Sequence, residues 1–447
     1  MRQLPLLPAC GLFVFRLSLL SGLSAPRRPV VLVTVLLFFF FFCCVSYPWV
    51  AAQPMFVQDD DGALHINTTG PHQQQRPPVL VNGVDVTGML QAQQRALSDH
   101  LGVIESHAAT IQSQGLTIAR MCKAASLPID TSTMAGLGTV GGKWLGAVRA
   151  NNGLVYGIPH QANAVLIIDP ISKAVDMTTM FVGAGGYKWV GGVLANNGLI
   201  YTFPSASPAV LIIDPAKNTT DTTTLGNVRF GGNKWQGGVL ATNGFIYGIP
   251  RDDTTVLIID PKKNTADTAS IQGLGGASKW FDAVQPPNGL IYSAPTAATS
   301  VLIIDPATNT ADTTSISGLG PGMKWYGTVL ADNGLIYGIP YDSPSVLVVD
   351  PSTNTADTTT VSGLNSSPPQ RFKWVGGVVA ANGFIYGLPS YASAVLVIDP
   401  YTNTTDVSTL PASGNTPKWF GGARASNDII FGVPDAADVI AIVTPSC

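Results

Sequence analysis

A Lys-Trp pair recurs seven times in the C-terminal two-thirds of this 447-residue chain, and its spacing constrains the fold more than any other feature. The pairs begin at Lys143, Lys188, Lys234, Lys279, Lys324, Lys373 and Lys418, at intervals of 45, 46, 45, 45, 49 and 45 residues. A period of this length marks a repeat architecture, in which each unit buries its apolar faces against its neighbours.

The copy from Lys324 to Val361 shows what one unit contains. Asn333-Gly334 is a two-residue hairpin signal, because both residues tolerate the positive φ of a type I′ turn. Leu335 to Pro340 is rich in β-branched and aromatic residues, and the proline ends the strand because it cannot donate to a ladder. A second apolar run, Val346 to Asp350, stops at the turn-initiating Asp350-Pro351, and the Thr-rich tail from Thr355 to Val361 reads as a polar strand. Four short strands in about 45 residues, with no helical stretch between them, describe a propeller blade. The fold class is therefore all-β: a seven-bladed β-propeller over residues 129–447. Composition grades as a blade should, from a Gly-rich first strand through two apolar strands to a polar edge.

Closure is also visible. The seventh copy lacks a Thr-rich fourth strand, whereas Ile129 to Met134, ahead of the first Lys-Trp, matches one. Asp130 precedes Lys143 by the same 13 residues that separate Asp221 from Lys234. The N-terminal strand is expected to complete the last blade. This latch resembles the closure of WD-repeat propellers, and the Tyr-Gly-Ile-Pro and Ile-Ile-Asp-Pro phrases resemble YVTN-type and Kelch-like propellers. The resemblance covers roughly residues 129–445 and is architectural; with the WD dipeptide absent, it implies a fold and no function.

Upstream, residues 1–52 combine a basic lead (Arg2, Arg16, Arg27, Arg28) with an apolar run from Val30 to Val45. This reads as a signal anchor through residues 29–50 with the propeller outside the cytoplasm, or as a cleaved signal peptide with the propeller secreted. Acceptor triplets at Asn67, Asn218, Asn365 and Asn403 agree with export. Residues 53–82 read as a disordered linker. Residues 83–123 read as a helical stalk: Leu90, Leu97, Ile104, Ile111 and Ile118 fall seven apart, a seam for a homo-oligomer through residues 86–122 or for a helix resting on the propeller. Cys122 could pair with Cys447 or with its counterpart in another copy.

Several functions are excluded or disfavoured. Net charge is −3 with no basic block in the propeller, so nucleic acid has no electrostatic footprint. With neither a His nor a Cys cluster, no metal or cofactor is expected. Glu105 is the only glutamate and His160 the only repeat histidine, so an enzyme, a lyase or hydrolase, would have to use His160 with Asp252 or Asp253. The tryptophans are expected to wedge between blades, and the paired aspartates around each Asp-Pro to cap turns.

The loops after each Tyr-x-x-Pro run vary most, and they share a face with the lysines. That face is the expected binding surface for a glycan, protein or anionic ligand. Its candidate contacts are His160, Arg251, Asp252, Tyr341, Tyr391 and the seven lysines, unless each ammonium is held by a neighbouring carbonyl. A non-catalytic recognition or adhesion module is the expected function, with the channel-mouth enzyme and a surface-coat protein as the other readings.

Overall fold

In a computed structural model of the protein, the described residues are 55–58, 64–67, 80–81, 84–124, 128–364, 371–412 and 417–445. The expectations for residues 1–52, for Asn365 and for Cys447 lie outside them. Two units are distinguished, residues 1–113 and 114–447. In the first, Met55–Gln58 pairs with Leu64–Asn67 within the stretch read as a linker, and Leu80–Val81 pairs with Val84–Asp85 across its end. A helix follows over Val86–Ala124. Among the described residues no helix is long and apolar enough to cross a membrane.

The propeller has seven antiparallel blades. Blades one, two, three, five and six are four-stranded sheets, each running in sequence order from axis to rim. In blade five the strands are Trp325–Leu330, Ile336–Pro340, Leu347–Asp350 and Thr355–Asp357. Every side chain of the second strand is buried, as expected for a strand enclosed on both faces. The fourth strand is only three residues long, shorter than its Thr-rich run suggested. Asp357 accepts from the Thr359 amide at 2.7 Å and the Thr359 hydroxyl at 2.8 Å, folding the rest of the tail into an Asx turn.

The Asn-Gly turn differs from the two-residue type I′ expectation. Only the glycine has positive φ, +84° at Gly153. The Gly153 amide donates to Ala150 O, and the Ala150 amide donates to Leu154 O. This is a type I turn closed by a left-handed residue, a three-residue loop whose twist also suits a hairpin. In blade seven Asp428 takes that place at φ +65°, which aspartate tolerates better than most residues.

The ring closes as expected. Asp130 and Ile442 exchange both backbone hydrogen bonds, 2.9 and 3.0 Å, and Ile440 N donates to Met134 O. Residues 129–137 thus flank the last strand of blade seven, Ala441–Val443. Blade four departs from the pattern: its innermost strand is reduced to isolated bridges, Trp280 to Pro295 and Val284 to Tyr292. Asp282 stands there where the other blades have glycine.

Two sets of ties hold the blades together. Each tryptophan is buried and donates its indole N–H to a carbonyl twenty residues on in its own blade, at 2.7 to 2.9 Å from Trp144–Ala164 to Trp419–Val439. Its ring packs against the preceding blade, as Trp144 does with Phe431, Val433 and Ile440. On the turn face, the turn asparagine of six blades donates to the Pro carbonyl of the next blade's Asp-Pro turn, among them Asn152 to Pro215, Asn197 to Pro261, Asn333 to Pro400, and Asn427 back to Pro170.

Two outcomes are expected. Trp235→Ala empties a fully buried site and orphans Thr255 O, so calorimetry should show a loss of about 3–5 kcal/mol. The aspartates that end the fourth strands, and Asp130 in the equivalent place, have carboxyl pKa values lowered to about 2 at Asp130, Asp176 and Asp312, chiefly by hydroxyl hydrogen bonds. Their contribution is complete above the ordinary carboxyl pKa and disappears as pH falls through about 2. The melting temperature should therefore drop between about pH 4 and about pH 2.

Candidate functional site at the variable face

The face opposite the Asn-Gly and Asp-Pro turns is built from two concentric rings. The outer ring is the residue after each second-strand proline: His160, Ser205, Arg251, Thr296, Tyr341, Ser390 and Asp435. Each gives its backbone oxygen to the amide of the next blade's lysine, from His160 O to Lys188 N at 2.9 Å round to Asp435 O to Lys143 N at 3.2 Å. Blade six places Ser390 in this ring, and Tyr391 lies one residue further along.

The inner ring is the residue after each tryptophan. Leu145, Val190, Phe281, Tyr326 and Val375 form one buried cluster with Phe420 packed on it. Gln236 completes the ring, accepting the Tyr326 hydroxyl at 2.7 Å. The ring has a signal in the sequence, though one that reads as core: directly after an invariant Lys-Trp, the seven copies carry Leu, Val, Gln, Phe, Tyr, Val and Phe. These residues floor the channel mouth. From that floor a run of aromatic contacts leads outward: Phe281–Tyr326 at 4.2 Å, Tyr326–Tyr341 at 4.9 Å, Tyr341–Phe372 at 4.8 Å and Phe372–Tyr391 at 5.9 Å between centroids. Tyr341, Phe372 and Tyr391 are half-buried. Arg371 lies 5.2 Å over the Phe372 ring and pairs with Asp342 at 3.3 Å. A cleft of about 610 Å³ adjoins them, lined in part by Asp342, Arg371, Met323 and Gly318 to Gly322.

The seven lysines do not present their charge to this mouth. All are buried, between 2% and 9% exposed. Lys234 Nζ donates to Ser205 O, Ser207 O and Gly231 O at 2.6, 3.0 and 2.8 Å. Lys143, Lys279 and Lys324 make the equivalent three bonds. Lys188 donates to Gly185 O and Lys373 to Ser343 O, and Lys418 is engaged as well. Most acceptors belong to the preceding blade, so the lysines staple blades together, and a ring of cations open to an anionic ligand is corrected to a ring of buried ties. Burial pulls the ammonium pKa down, to about 8 at Lys234, Lys324 and Lys418. The carbonyl acceptors oppose that pull by favouring the charged form.

Arg251 differs. Its Nε is buried and has no hydrogen-bond partner among the described residues, and its Nη1 lies 3.6 Å from Asp252. Its charge acts on His160, Tyr326 and Tyr341, which belong to blades one and five, so the guanidinium lies toward the mouth. Burial pushes the Tyr326 hydroxyl up to about 12.

His160 is buried, with Nδ1 3.3 Å from Gly142 O and its ring edge-on to Tyr187 at 5.2 Å. Burial, helped by Lys188 and Arg251, lowers its pKa to about 4. Asp252 accepts from Ser278 N at 2.6 Å, and Asp253 is held by Thr255 and by Arg229 at 3.0 Å. The described contacts thus do not join His160 to either carboxylate, and the triad-like grouping is not assembled. Among the described residues no cluster of metal-ligating side chains occurs.

Below the mouth, glycines with positive φ bring the innermost strands together: a Cβ on Gly191 would lie 3.1 Å from Gly237 Cα, and one on Gly237 would lie 2.7 Å from Asp282 Cα. Asp282 adopts φ +62° in this ring and accepts from the Ala283 amide at 2.9 Å. Burial raises its carboxyl pKa to about 6.

No protein-family model matches the chain, and no curated protein matches it. Solved structures do match in fold. A streptogramin B lyase superposes with a TM-score of 0.57 at 11% identity, covering 71% of this chain and 97% of that one. A catalytically inactive virginiamycin B lyase from Staphylococcus aureus, with quinupristin, gives 0.56 at 12%, covering 71% and 98%. The extracellular domain of a protein described as a hybrid two-component system of B. thetaiotaomicron gives 0.52 at 11%, covering 71% and 42%. At these identities the likeness is to the propeller fold alone.

Two measurements check this geometry. The His160 imidazole should keep its neutral NMR signature as pH falls from about 8 to about 5, well above its lowered pKa, identified by its loss in His160→Gln. Because the Asp282 pKa is raised, the folded state loses stability as pH rises from the ordinary carboxyl value through about 6. Asp282→Gly should remove that component of the stability profile and melt at least as high at about pH 7.5.

Proposed function

We propose that the protein is an exported recognition module that binds an acidic glycan or similar anionic surface molecule at the mouth of its variable face. The observation that carries this reading is Arg251, a cation of the outer ring whose buried Nε has no hydrogen-bond partner among the described residues. Asp252 meets the Nη1 end of the guanidinium at 3.6 Å, and the Nε–H is left for a further acceptor. The half-buried Tyr341, Phe372 and Tyr391 offer planar surfaces on which a sugar ring can lie. Arg371 and the neighbouring cleft extend the contact outward. The variable face changes from blade to blade while the turn face is constant, which is how repeat proteins separate binding from scaffold.

Export accords with the apolar run at residues 29–50, as an anchor or a signal peptide, and with the acceptor triplets at Asn218 and Asn403. Both asparagines are exposed on the constant face, away from the proposed site. The propeller fold is also found in the extracellular domain from B. thetaiotaomicron. Catalysis is the weaker reading, because His160 is neutral and its described partners are a carbonyl and an aromatic ring.

The test is a glycan array, including sialylated, uronic and sulfated sugars, probed with protein produced in a eukaryotic host. Binding should weaken with salt and fall about 10- to 100-fold in Arg251→Gln, as expected for loss of a charge-assisted hydrogen bond. Lys262→Gln, on the opposite face, should bind normally. A folded protein that binds nothing on the array, or binding indifferent to Arg251, would sink the reading. Conversion of a bound sugar to product would move it to the enzyme class.

A further inference from the structure

In the helix Val86–Ala124 the apolar side chains between Met89 and Ile104 have no covering partner among the described residues. Every side chain from Met89 to His107 is exposed, including Leu90 at 48%, Leu97 at 56%, Leu101 at 52% and Ile104 at 62%. Leu90, Leu97 and Ile104 lie seven residues apart, and Ile111 and Ile118 continue the interval in the sequence. On a straight helix such a stripe drifts by about 20° per heptad, so a strict interval of seven matches a partner that supercoils with it. Another helix of the same period meets that requirement.

Charge placement selects which helix and which direction. With Leu90, Leu97 and Ile104 at heptad position d, Gln94 and Leu101 occupy a, His100 occupies g and Glu105 occupies e. In a parallel, in-register coiled coil, a g residue faces the e residue five places later on the other helix. His100 then faces Glu105, the only glutamate in the chain. Within one helix the two lie roughly 140° apart around the axis and do not face each other. An antiparallel arrangement matches g with g and e with e, so His100 and Glu105 do not meet in it. Arg95 and Asp99 occupy the outer b and f positions, and His107 faces the neutral Gln112.

We propose that this helix joins two or more copies of the chain in a parallel, in-register coiled coil, with His100 of each copy facing Glu105 of the next. Bringing several propellers onto one stalk would convert weak single-site contacts into avidity.

The experiment is the mass of the solubilised full chain by multi-angle light scattering over a range of concentrations, with detergent mass subtracted. Near-UV circular dichroism of the buried tryptophans reports that the propeller stays folded. The wild type should be an integral multiple of the monomer, and Leu97→Asp combined with Ile104→Asp should be monomeric. His100→Glu sets carboxylates against each other and should weaken association about tenfold. Combining His100→Glu with Glu105→His should restore it. A monomeric wild type, or a doubly substituted variant that keeps its mass, overturns the proposal and leaves the stripe to an occupant other than a second copy. Equal association by the single and swapped variants overturns the parallel register.

Discussion

The structure depends on one dipeptide that ties in two directions. Within each Lys-Trp, the indole bonds a carbonyl twenty residues on in its own blade, while the ammonium bonds carbonyls mostly of the blade before. One group fixes the blade's internal geometry and the other fixes its angle to a neighbour. Both are desolvated, so both need their partners: a buried carbonyl without a donor costs about 1–3 kcal/mol. Lys143 reaches Asp435 O and Ala437 O of blade seven, so the contact that builds each interface also closes the ring. Substitution of a Lys-Trp residue is therefore felt at an interface and not only in one sheet.

The same arrangement explains why the variable face can vary. The lysine amide and ammonium hold the loop after the second strand by its backbone, so that hold does not depend on which side chains the loop carries. His160, Arg251, Tyr341 and Asp435 occupy equivalent positions and share almost no chemistry. On the opposite face the ties run through side chains, Asn to Pro carbonyl and, between Tyr201 and Asn264, phenol to amide. Side-chain ties demand fixed residues. One face thus repeats its sequence from blade to blade because its side chains make the structure, and the other diversifies because its backbone does.

Much of the fold was legible in the residues. The 45-residue interval, the paired turns and the displaced Ile129–Met134 segment announced seven blades and their closure. The turn type was misjudged because Asn-Gly suits both a type I′ hairpin and a type I turn closed by a left-handed glycine, and the dipeptide alone does not distinguish them. Thr-rich tails looked like long strands, but Asp357 and its equivalents capture the following amides first. The candidate site was less legible. Loop variation marks Arg251 and Tyr341, whereas Phe281, Tyr326 and Phe420 each follow an invariant tryptophan, a place that reads as core.

The sequence by itself determined the number of blades, the order of strands within each and the face on which variation falls, because periodicity and turn chemistry are local properties. Only the tertiary structure decided what the charges do. Seven lysines at one end of the blades look like a cationic ring until nearby carbonyls, mostly of the adjacent blade, are seen to take up the ammonium groups, whereas a single arginine in a variable loop keeps its Nε buried without a hydrogen-bond partner among the described residues. Whether a charge is satisfied or open depends on groups brought near it from another blade, and no spacing along the chain records that distance.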